Sequence, residues 1–196
     1  MPRTRADRAE RRGEIIQAAT EVIAERGYRG ATLACVAERV GLTQQGLMHH
    51  FPTKEALLVA VLEARDQWDM ASAALHGHAW PLEVVASLVE YNATRPGIVQ
   101  AFTVLAGDSV TEGHPAQEYF RERYAWVRDG GADALRAEYG DRLPGGLTPE
   151  RAATLLAAVM DGLQVQWLLD PGAVDMPAAF RDFLALLAPM PPRAGK

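Results

Sequence analysis

The 196-residue sequence predicts an all-α fold, with an N-terminal three-helix domain followed by a helical bundle and about nine helices in total. Apolar residues recur at helical spacing along nearly the whole chain. No stretch shows the apolar–polar alternation of a strand, and glycines and prolines fall between the periodic segments, where the chain must turn.

The first helix is expected over 8–26, where Ile15, Ile16, Ala19, Val22 and Ile23 share one face. Gly27 should stop it, and Thr32 should cap a short second helix that runs to Val40 and ends at Gly41. Thr43 caps a third helix reaching about His50. Pro52 breaks that helix, and Thr53, Lys54 and Glu55 open a fourth whose apolar stripe is Leu57, Val61, Ala64, Trp68, Ala71 and Leu75. Further helices are expected over 81–95, 98–111 and 115–139, the last with a kink at Gly130–Gly131. The turn-rich segment 140–149 leads to a helix from Glu150 to Leu169, and a final one runs from Met176 to Leu187.

Hydrophobic residues make up 48% and charged residues 23%, which excludes a disordered chain. The sequence shows no unbroken run of 18 apolar residues, so no membrane partner is expected. The charged start MPRTRADRAERR has no apolar segment of a signal peptide, and the single cysteine, Cys35, fits a reducing cytoplasm. Residues 1–56 carry nine Lys/Arg against seven Asp/Glu, a charge of +2, and residues 57–196 carry eleven against eighteen, a charge of −7. A basic head on an acidic body points to an anionic partner for the head.

Two short helices around Gly41 have the length and punctuation of a helix-turn-helix. Val36, Val40, Leu42 and Leu47 would hold the pair together, and Ala37 allows a close crossing. The second helix of such a unit lies in the DNA major groove, and here it presents Thr43, Gln44, Gln45, Gly46, Met48 and His49. Glutamine suits a bidentate contact with adenine N6 and N7. Thr32 is expected near a phosphate, and Arg5, Arg8, Arg11 and Arg12 are expected to add electrostatic contacts.

The stretch from Thr32 to Leu58, TLACVAERVGLTQQGLMHHFPTKEALL, resembles the TetR family of bacterial transcription regulators, together with the long first helix and the GYRG turn before it. The resemblance covers about a quarter of the chain, and the closing segment MDGLQVQWLLDP (160–171) is similar to the dimerising end of many members. It implies residues 1–56 as the DNA-binding domain and 57–196 as a ligand-binding and dimerisation domain. By analogy it places His50 and Lys54 near phosphates. Three positions depart from the pattern: Met48 stands where a phosphate-binding tyrosine is frequent, Gln45 where a small residue is usual, and Cys35 where a polar or acidic residue is usual. Cys35 has no evident basic activator and reads as inert.

The resemblance implies a repressor that leaves double-stranded operator DNA when a small-molecule effector binds, with no cofactor. Aromatic candidates for the effector pocket are Trp68, Tyr91, Phe102, Phe120, Tyr124 and Trp126, and polar ones are Asp108, Glu112, His114 and Gln164. The acidic surplus leans toward a neutral or cationic effector. Homodimer candidates are Leu156, Val159, Met160, Leu163, Trp167, Phe180, Phe183 and Leu187, with Gly162 allowing close approach of a partner helix.

An enzyme or a metabolite-binding protein without specific DNA binding is the alternative. The chain has no phosphate-binding glycine loop, and Gly107-Asp108-Ser109-Val110-Thr111 lacks the second glycine of a nucleophile elbow. His76 and His78 have no third metal ligand nearby in the sequence. A general DNA-compacting protein would be basic overall, whereas this chain carries −5.

Overall fold

The computed structural model describes residues 5–74 and 81–188. Nine helices are present among them: α1 (Arg5–Gly30), α2 (Leu33–Arg39), α3 (Gln44–Met48), α4 (Lys54–Ala74), α5 (Leu82–Ala93), α6 (Pro96–Asp108), α7 (Gln117–Tyr139), α8 (Pro149–Leu169) and α9 (Met176–Leu187). The pair His76 and His78, singled out in the sequence, lies outside the described residues, as does Leu75.

Local chemistry accounts for most boundaries. Gly27 has φ 67° and ψ 179°, a conformation that costs a side-chain-bearing residue dearly, so the regular part of α1 ends where the sequence predicted. The Thr32 hydroxyl accepts from the Cys35 amide, and the Thr43 hydroxyl accepts from the Gly46 amide, so each short helix starts on a side-chain cap. Gly41 has φ 65°, and the Leu42 amide donates to the Ala37 carbonyl at 2.8 Å, closing the turn between α2 and α3. Thr148 and Asp175 cap α8 and α9 in the same way.

The chain divides into two compact units, residues 1–70 with 95–120 and residues 71–94 with 121–196. In the first, Ile15, Ala19, Val22 and Ile23 of α1 are buried with Val36, Ala37, Leu47, Phe51, Leu57 and Leu58. Helix α6 joins the same unit through a close crossing with α1. A Cβ on Gly97 would stand 2.5 Å from the Ile23 carbonyl oxygen and 3.0 Å from the Ala24 Cα, so only glycine allows this approach. Gln100, one turn on, accepts from the Tyr28 amide at 3.1 Å and secures the chain just after the Gly27 break. The compact division therefore differs from a boundary at residue 56, because most of α4 and all of α6 group with the three N-terminal helices.

The second unit packs α5, α7, α8 and α9 around Val85, Val89, Leu135, Leu156, Met176 and Phe180. No break interrupts α7 at Gly130–Gly131. Gly131 instead lets α8 come near, since a Cβ there would lie 3.2 Å from that of Ala153. Helix α8 is long and apolar enough to cross a membrane by length and composition, a property missed by counting unbroken apolar runs because polar residues punctuate it. Apolarity on more than one face explains it better: Ala152, Ala153, Leu156, Ala157 and Gln164 are buried in its own unit, while Leu155 and Val165 face outward.

Candidate functional site

Thr43, Gln44, Gln45, Met48 and His49 are all exposed, whereas Leu47 between them is fully buried. That alternation separates a packing edge from a polar edge on a helix of five residues, α3. Gly46 serves the cap more than the surface, since a Cβ there would lie 3.2 Å from the Thr43 hydroxyl oxygen.

The cations around α3 make contacts within the head that the sequence alone does not show. Arg11 donates to the Val40 carbonyl at 2.5 Å and pairs with Glu14, fixing α1 to the end of α2. Arg12 donates to the His50 carbonyl at 3.3 Å and lies 4.1 Å from the centre of the Phe51 ring. Arg39 pairs with Glu21 and Glu25 of α1. Lys54 donates to the Tyr28 carbonyl and stands 4.2 Å from the centre of the Tyr28 ring, and burial holds its pKa below the ordinary lysine value. Lys54, Arg11 and Arg12 thus brace the three-helix head, a use of charge that linear sequence cannot separate from phosphate contact. The Arg8 side chain is exposed, whereas that of Arg5 lies outside the described residues.

Cys35, expected to have no basic activator, has a basic neighbour. Its sulfur accepts from the Thr32 hydroxyl and from Arg26, each at 3.2 Å, and these contacts lower the thiol pKa, the Thr32 hydrogen bond most. The basic neighbour absent from the local sequence comes from nine residues upstream. Alkylation of Cys35 by iodoacetamide at pH 7 is expected to slow in Thr32→Val, because less of the thiol is then ionised. An unchanged rate would count against the hydrogen bond.

The effector candidates fall in both compact units. Phe102 and Phe120 are buried in the first unit and meet edge to face, with centroids 5.3 Å apart, beside Tyr119, whose hydroxyl donates to Asp66 at 2.7 Å. Tyr91, Asp108 and Glu112 are exposed, and His114 accepts from the Ala116 amide at 3.2 Å to shape a turn. The Trp68 side chain lies outside what is described, and Trp126 is half-buried.

Tyr124 of α7 and Gln164 of α8 lie in the second unit with Asp161, which falls within the MDGLQVQWLLDP segment. The Tyr124 hydroxyl donates to Asp161 Oδ2 at 2.6 Å. Burial raises the Asp161 pKa, against the opposing effects of the Tyr124 hydrogen bond and of Arg123, and burial also raises that of Tyr124. Asp161 Oδ1 and Gln164 Oε1 are buried without a hydrogen-bond partner. A separate groove of about 410 Å³ is lined by residues including Glu83, Glu90, Glu138, Tyr139 and Arg181.

Leu156 and Phe180, expected at a dimer interface, are 4% and 1% exposed and lie in the core of their own unit. Val159, Met160, Leu163, Trp167, Phe183 and Leu187 are half-buried against that core. Leu155, Ala158, Gly162, Val165 and Leu169, spaced alternately by three and four residues, form the outward seam of α8. A Cβ on Gly162 would meet nothing within 4 Å. Heptad spacing was the available signal for this seam.

A capped helix-turn-helix with an exposed polar edge, followed by an all-helical body, defines a DNA-binding regulator. Residues 15–61 match the family of bacterial regulatory proteins, tetR family, and residues 82–189 match the C-terminal part of the BetI-type transcriptional repressors. The HTH-type transcriptional regulator TtgR of Pseudomonas putida is 30% identical over 194 residues, covering 89% of this chain and 88% of its own. Among solved structures, NalD, the secondary repressor of the MexAB-OprM multidrug efflux pump in Pseudomonas aeruginosa, is similar with a TM-score of 0.64 and 25% identity, covering 92% of this chain and 95% of its own. A transcriptional regulator from Saccharomonospora viridis in complex with choline shares the fold, with a TM-score of 0.65, 22% identity and coverage of 90% and 96%. The chain belongs to the tetR family of bacterial regulatory proteins. It is a helix-turn-helix transcriptional regulator whose C-terminal part is of the BetI-type repressor kind.

Proposed function

We propose that Thr43, Gln44, Gln45 and His49 read base edges in the major groove, with Met48 giving apolar contact. The observation that carries this assignment is the exposed polar edge of α3 beside a fully buried Leu47. Thr32 and His50 are assigned to the phosphates, while Lys54 holds the Tyr28 turn. Residues 1–56 are the reading domain in this assignment, and residues 57–196 sense the effector and dimerise. The body takes its effector beside Tyr124 and Gln164, between α7 and α8 of the second unit. The protein works in the cytoplasm and carries out no catalysis, in keeping with relatives that are regulators.

Dimerisation is assigned to the α8 seam from Leu155 to Leu169, which packs against its symmetry mate. Half-buried Val159, Met160, Leu163, Trp167, Phe183 and Leu187 border it. A glutamate at both Val165 and Leu169 would bury like charges across the two-fold axis. The double variant is expected to sediment as a monomer at micromolar concentration while keeping its helical content. A dimer of unchanged stability would place the interface elsewhere.

A further inference from the structure

Asp161 and Gln164 are one helical turn apart on α8, so their side chains are neighbours on its surface. Gln164 is only 3% exposed. Each residue buries one oxygen without a partner, Oδ1 of Asp161 and Oε1 of Gln164. Both atoms are hydrogen-bond acceptors. The other Asp161 oxygen is already engaged by Tyr124, which fixes the carboxylate to α7. Native interiors rarely leave two such atoms unsatisfied, because each costs about 1–3 kcal/mol in desolvation.

A ligand that answers both atoms must donate hydrogen bonds, and beside a carboxylate it gains most if it also carries positive charge. Arg123, the residue before Tyr124, contributes positive potential at Asp161, yet its influence is weaker than that of burial. A carboxylate-bearing ligand would meet acceptors with an acceptor. A quaternary ammonium has charge but no N–H to give.

We propose that the effector of this repressor is an N–H-donating organic cation, an ammonium, amidinium or guanidinium, held by Asp161 Oδ1 and Gln164 Oε1. The assignment rests on the effector site placed between α7 and α8 above. Tyr124 positions the Asp161 carboxylate, and the ligand N–H groups bridge the two acceptors across one turn of α8.

The test is calorimetric titration of the full-length protein with four matched probes: benzylammonium, benzyltrimethylammonium, benzyl alcohol and phenylacetate. Benzylammonium is expected to bind on the order of 10- to 100-fold more tightly than the other three, as charge-assisted hydrogen bonds allow. Asp161→Asn and Gln164→Leu are each expected to remove that advantage, with circular dichroism confirming that the variants fold. Benzyltrimethylammonium binding as tightly as benzylammonium, or no benzylammonium binding, would overturn the cation-donor assignment. If phenylacetate or benzyl alcohol won, and lost its affinity in Gln164→Leu, the site would stand and the ligand class would fall. Equal benzylammonium affinity for wild type and both variants would overturn the site itself.

Discussion

Replacing Gly97 by alanine is expected to destabilise the unit that carries the DNA-binding helices by about 1–3 kcal/mol, the usual range for overpacking. The added methyl would meet backbone, the Ile23 carbonyl and the Ala24 Cα, and backbone cannot swing aside as the end of a flexible side chain can. To accommodate it α6 must lift from α1, which would also loosen the Gln100 contact with the Tyr28 amide. Melting followed by circular dichroism is expected to fall by several degrees. Operator affinity is expected to fall as well, because α1 is the support to which Arg11 and Arg12 tie the ends of α2 and α3. A variant melting within a degree of wild type would mean that α6 does not approach α1 so closely.

The second large effect is on sequence reading. Each bidentate contact of a glutamine with adenine is worth about 1–3 kcal/mol of discrimination, so Gln44→Ala/Gln45→Ala is expected to lose much of the preference for operator over scrambled DNA. Affinity for scrambled DNA is expected to change little, since neither side chain carries charge. Competition gel shifts at fixed salt measure both quantities. Selectivity equal to wild type would show that α3 is not the reading element. Lys54→Ala should not behave as the loss of a simple phosphate contact. With its amine bound to the Tyr28 carbonyl, its removal is expected to lower thermal stability together with affinity.

The helices and their ends were legible in the sequence because their causes are local. Threonine caps at 32 and 43 and the positive-φ glycines at 27 and 41 act within a few residues. The exposed edge of α3 was legible for the same reason, since alternation around Leu47 is a local pattern. What stayed hidden depends on partners far along the chain. Lys54 reaches Tyr28 across 26 residues, Gln100 reaches Tyr28 across 72, and Tyr124 reaches Asp161 across 37. An arginine bracing a helix end and one awaiting a phosphate look alike in a sequence. Gly97 reads as half of a Pro-Gly turn signal until α1 is seen against it. On α8 the apolar residues cover more than one face, so periodicity could not say that Leu156 belongs to the core and Leu155 to the seam.

The central claim is that this chain reads a specific two-fold symmetric DNA site through α3. In vitro selection from a random double-stranded library, carried out with the purified full-length protein, tests it most directly. The expected result is an enriched inverted repeat whose half-site centres are about 34 Å apart or a multiple of that distance, as paired recognition helices require. Positions within each half-site should lose their preference when the selection is repeated with Gln44→Ala/Gln45→Ala. A library with no enriched sequence, or an enriched site that the double variant selects unchanged, would contradict the account.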